Sequence, residues 1–174
     1  MSENGYTAAE LDEAQDRFGV RFPPDLYDLL CKQRIADGYD WTGPADPIER
    51  ALRWPLEGLL FDVEEAGLWW PEWGARPSNK EDRAALLSEV VNAAPKLIPL
   101  LAHRYLPEQP QEAGNPVFSV YQSDIIIYGA DLEDWLRVES DQTYTARPQP
   151  SRRPIDFWSL AVERSGDPEF MSPL

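Results

Sequence analysis

Residues 117–128 read VFSVYQSDIIIY. Val117–Tyr121 and Asp124–Tyr128 are rich in β-branched and aromatic side chains, which fit a pleated surface. Only Gln122-Ser123 separates them, a spacing that predicts a tight β-hairpin. Upstream, Leu97–Leu101 is another short apolar run, but Pro99 lies within it. Proline cannot donate to a strand ladder, so this run is expected at a sheet edge or at a bulge.

Around this sheet-forming centre the period changes to that of helices. Thr7-Ala8-Ala9-Glu10 has the form of a capping box, with Leu11, Ala14 and Phe18 at helical spacing and Gly19 as the stop. Pro23-Pro24 restarts the chain into a second helix, whose apolar stripe is Leu26, Leu29 and Leu30. Residues 41–78 combine five tryptophans with five prolines, and the expectation is two short helices, near 47–52 and 62–67, in irregular backbone. Asn79 is an N-cap for a helix whose core face is Leu86, Leu87, Val90, Val91 and Ala94, stopped by Pro95. Asp131–Asp134 opens a helix carrying Trp135 and Leu136, and a last helix is expected over Ile155–Arg164. The fold class is therefore α+β: one domain with a mixed, mostly antiparallel sheet flanked by helices. Residues 1–138 form its body, 139–154 a polar linker, and 155–174 a helix and tail expected to pack on the same domain.

The chain has 174 residues, with 31 acids against 16 lysines and arginines, a net charge of −15. Residues 1–75 hold 16 of those acids and only 6 of the bases. Such a surface repels phosphate and argues against nucleic-acid binding. It attracts a basic protein and speeds its encounter. No cationic segment leads into an apolar stretch at the start, and no apolar run approaches the roughly 20 residues of a membrane helix. With a single cysteine, no internal disulfide forms. The expectation is a cytoplasmic protein that does not enter the membrane.

Catalytic parts are scarce. His103 is the only histidine, and beside Leu100-Leu101 it reads as a satisfied structural residue. Cys31 has no histidine partner and is expected to be buried and inert. Too few Cys and His are present for a zinc site, no calcium-loop spacing occurs, and no glycine loop cradles a phosphate. No cofactor or metal is expected, and the chain reads as a non-enzyme. Asp62, Glu64 and Glu65 are expected on a short exposed segment, and Asp131, Glu133 and Asp134 as helix-start residues. The segment 62–73, DVEEAGLWWPEW, is the candidate binding surface. Tryptophans in proline-stiffened backbone with a charged rim suit an interface, although core filling is the competing reading. Adjacent Trp69 and Trp70 are expected to face opposite ways. The contact residues expected for a protein partner are Asp62, Glu64, Glu65, Trp69, Trp70, Glu72 and Trp73.

The order of parts resembles a known family. RFGVRFPPDLYDLL at 17–30, GNPVFSV at 114–120 and DIIIYGADLEDWL at 124–136 are similar to the SUKH superfamily, which includes Smi/Knr-type cell-wall regulators and many bacterial immunity proteins. The segments GLLFDVEEAGLWWPEWGARP at 58–77 and APKLIPLLAHRYLP at 94–107 look like an actinobacterial-type branch of it. The likeness covers roughly residues 7–138, and the crowded tryptophans at 69–73 depart from the general pattern. The resemblance implies an α+β fold and a function by binding: an immunity protein that neutralises a cognate toxin domain. It supplies no catalytic residues. A regulatory or scaffold binding module, and a Trp-lined carbohydrate-binding or hydrolytic site, stay open as alternatives.

Overall fold

The computed structural model describes residues 4–146 and 153–166. Thr7 caps helix α1 (Ala8–Phe18), its side chain accepting from the Glu10 backbone N–H while Glu10 reaches back to the Thr7 backbone. Gly19 ends α1 at φ 63°, a left-handed conformation that costs glycine least. Helix α2 (Pro24–Lys32) starts at the second proline, where a missing N–H leaves no bond unmade.

The first departure from expectation is α3. One helix runs from Ala45 to Glu65, in place of two short ones, and Pro55 lies inside it. An interior proline removes the hydrogen bond that its nitrogen would donate to the carbonyl four residues back. Here that carbonyl belongs to Ala51, and the buried Tyr105 hydroxyl donates to it at 2.8 Å. Burial raises the Tyr105 phenol far above its usual pKa, keeping the donor protonated. Trp54 Nε1 adds a second tie to the sheet, donating to the Val120 carbonyl at 3.2 Å. Sheet contacts thus replace what the proline removes.

A short 3-10 turn at Pro71–Trp73 leads to α4 (Lys80–Ala93), capped by Asn79, whose side chain accepts from the Asp82 N–H at 2.7 Å. Four strands follow: β1 (Leu97–Leu101), β2 (Arg104–Pro107), β3 (Val117–Tyr121) and β4 (Asp124–Gly129), then α5 (Leu132–Ser140) and α6 (Trp158–Ser165). The strands are in sequence order and every pairing is antiparallel, so the sheet is a meander with no parallel pair. β1 is an edge strand, and its register shifts between Pro99 and Leu101, so the proline is accommodated at an edge and at an irregularity together. Strand β2 carries no mark in the sequence reading. α6 begins three residues later than predicted, after Phe157 at a positive φ of 66°.

Both faces of the sheet are covered. Ile98, Leu100, Leu106 and Val117 join a core with Leu11, Leu26, Leu30, Trp41 and Trp135 from the side of α1, α2 and α5. Leu97, Tyr105, Phe118, Val120 and Ile125 join a second core with Leu59, Leu87, Val91 and Trp158, on the side of α3, α4 and α6. This is why 117–120 is buried at every position, where an antiparallel strand with one wet face would alternate. α3 is long enough to serve both cores, with Ile48 in the first and Val63 in the second. The result is a single α+β domain.

Candidate functional site

The segment singled out by sequence is largely a structural joint. Asp62 is buried on α3, not on an exposed short segment, because its side chain points at the β3–β4 turn. Its Oδ2 accepts from the Ser123 N–H at 2.9 Å and from the Ser123 hydroxyl at 2.5 Å. Glu64 makes a two-pronged pair with Arg83, at 2.8 and 2.7 Å, which ties α3 to α4. That guanidinium bonding holds the Glu64 carboxyl below its ordinary pKa. Glu65 is exposed.

The tryptophans follow the same logic. Trp70 and Trp73 are buried in the second core with ring centroids 4.6 Å apart, so neither is available as a contact in this conformation. Trp70 Nε1 is a buried donor with no acceptor among the described residues. Trp69 is half-buried, set edge-on to Trp73 at 5.2 Å, and its Nε1 donates to the Gly74 carbonyl at 2.8 Å. The two adjacent rings do face differently, but the outer one is still partly covered. Glu72 is paired with Arg164, which fastens the 3-10 turn to α6 and holds the Glu72 carboxyl below its ordinary pKa. Of the seven expected contact residues, Glu65 and Glu72 reach the surface, Glu64 and Trp69 reach it in part, and Asp62, Trp70 and Trp73 are buried. Core filling wins because the second face of the sheet needs large side chains to cover it.

Two other expectations change. Cys31 is exposed rather than buried, because the buried stripe of α2 passes through Leu26 and Leu30. The His103 ring is not held by any hydrogen bond among the described residues; it is half-buried in the β1–β2 turn with Tyr121 at 5.8 Å. At the start of α5, Asp131 accepts from the Asp134 N–H as a cap, and Asp134 itself is buried, accepting from Ala130 N and the Tyr144 hydroxyl.

The fold assembles an acidic groove that no single stretch of sequence displays. Asp25 and Asp28 of α2 face Asp131, the N-cap of α5, and Glu133 of α5 across a cleft of about 600 Å³, with Leu29 and Leu136 in its lining and Lys32 as the one cation among the described lining residues; Glu133 also pairs with Arg137 at 2.7 Å. Asp25 is held in place by accepting from Gly114 N–H at 3.0 Å. Carboxylates around half-exposed leucines can receive lysine or arginine side chains and cover their apolar stems. In the sequence its two sides show separately, as part of the acid excess of residues 1–75 and as the helix-start acids Asp131 and Glu133. Among the described residues, no group of three or more His, Cys, Asp or Glu is placed to hold a metal ion. No helix among them is long and apolar enough to cross a membrane. No protein-family model, curated protein or solved structure gives a significant match to the chain.

Proposed function

We propose that the chain is a non-catalytic binding domain for a basic protein, and that it acts as an immunity protein neutralising a cognate toxin domain. The observation that carries this reading is the groove between α2 and α5, where acids from distant parts of the chain line one cleft with leucine at its floor. A net charge of −15 adds long-range attraction for a cationic partner. The resemblance of 17–30, 114–120 and 124–136 to SUKH proteins points to the immunity role within that class. A regulatory scaffold would use the same chemistry with a different partner. The segment 62–73 does not favour a carbohydrate-binding or hydrolytic site, since Asp62 and two of its three tryptophans are buried.

The test is co-expression with a candidate basic toxin domain, taken from any toxin-like reading frame that neighbours the gene, followed by stopped-flow association with the purified pair. Growth rescue and a stable complex are expected. Asp28→Lys with Glu133→Lys should slow association by about tenfold or more at low salt, with the difference shrinking as salt rises. Unchanged association in that double variant would sink the groove as the contact surface. Failure of the wild-type protein to rescue growth or form the complex would sink the immunity role for that toxin.

A further inference from the structure

The opposite character appears at the other turn-bearing end of the sheet. A cleft of about 360 Å³ opens between the first half of α3 and the β1–β2 turn, with Tyr39, Trp54, Tyr105 and Tyr121 as its aromatic walls. Three of these rings have their polar ends tied to backbone carbonyls. Tyr39 Oη donates to Ala102 at 2.9 Å, Trp54 Nε1 to Val120 at 3.2 Å, and Tyr105 Oη to Ala51 at 2.8 Å. The walls are therefore fixed before any ligand arrives, which lowers the ordering cost of binding. Tyr121 stands 52% exposed against Trp54, with centroids 5.8 Å apart.

The polar groups of this cleft are cationic or neutral. No carboxylate lines it, in a chain where acids outnumber bases nearly two to one. Arg50 lines it, and Arg50 differs from the other described arginines, each of which donates a hydrogen bond or makes an ion pair. His103 lines it too, with no hydrogen bond to its ring among the described residues. Burial, and then Arg104 nearby, push the His103 imidazole below its ordinary pKa. At neutral pH it is thus an uncharged ring offering one N–H donor and one acceptor.

We propose that this cleft binds a small planar anion, a ring-bearing carboxylate, with its ring against Trp54 and Tyr121 and its carboxylate at Arg50 and His103. Aromatic walls supply stacking area, and an unpaired guanidinium supplies the donor fork that a carboxylate fits. The volume is within the range of small-molecule sites. The inference is independent of the acidic groove, which lies on other elements and carries the opposite charge.

Because His103 is the only histidine, its imidazole protons give one resolved reporter by NMR. Titration with indole-3-acetate and with benzoate should move that signal saturably. Inorganic phosphate and neutral 3-methylindole should move it much less, since each lacks one of the two recognised features. Arg50→Gln, an exposed substitution that leaves the fold intact, should weaken indole-3-acetate binding roughly tenfold, and Tyr121→Ser should weaken it as well. An immobile His103 signal at millimolar indole-3-acetate overturns the proposal. So does equal binding of phosphate, or an affinity for indole-3-acetate that Arg50→Gln leaves unchanged.

Discussion

Asp62→Ala separates a contact residue from a structural one. The wild-type side chain accepts two hydrogen bonds from Ser123, at 2.9 Å from the backbone and 2.5 Å from the hydroxyl, and it is 6% exposed. Alanine removes both and leaves two partly buried donors unmet. Each lost hydrogen bond is about 0.5–1.5 kcal/mol net, and each stranded buried donor costs about 1–3 kcal/mol. Water reaches Ser123 in part, so the sum is taken at the low end, about 2–4 kcal/mol. For a domain of this size about 1 kcal/mol shifts Tm by roughly 2–4 °C, so the variant should melt about 5–15 °C lower. Asp62→Asn keeps one acceptor oxygen and should lose about half as much. Glu65→Ala, three residues along on the exposed side, should stay within about 0.5 kcal/mol. Circular dichroism melts and urea titrations of the three variants are the assay. If Asp62→Ala melts like Glu65→Ala, the bonds to Ser123 carry no stability. The exposed contact role expected from the sequence would then be restored.

Three further outcomes follow from the geometry. Gly58→Ala, which in an open helix gains up to about 1 kcal/mol, should instead destabilise, because the new Cβ would lie 2.9 Å from Gln122 Cα in the β3–β4 turn; a raised urea midpoint would refute that close approach. Trp158→Ala should cost about 3–5 kcal/mol, since the ring is buried and its Nε1 donates to Pro95 O at 2.8 Å; a near-wild-type melt would mean that α6 is not part of the cooperative unit. His103 has a folded pKa below its ordinary 6.5, so the unfolded chain binds the extra proton between the two values and stability should rise with pH across that window. An NMR titration of its imidazole with a midpoint at or above 6.5 would contradict this, and His103→Gln should flatten the slope of stability in the same window.

Local signals in the sequence were enough for elements whose cause is local. The Thr7–Glu10 box, the Gly19 stop, the Asn79 cap and the two-residue turn at Gln122-Ser123 depend on neighbours a few residues away, and all appear where the pattern places them. An α+β domain with an antiparallel hairpin at its centre follows from those signals. The continuity of α3 was not legible, because the group that makes Pro55 tolerable is the Tyr105 hydroxyl, 54 residues downstream of Ala51. The fate of 62–73 was not legible either. Acids beside tryptophans describe an interface rim and a core joint equally well, and only the need to cover the second face of the sheet turns Trp70, Trp73 and Asp62 inward. Charge shows the same division. The sequence alone determined that the first half of the chain is acidic, because composition needs no fold. Only the tertiary structure decided that Asp25 and Asp28 meet Glu133 across one groove while Arg50 and His103 share another. Such meetings depend on long-range packing of helices against the sheet, which no local pattern encodes.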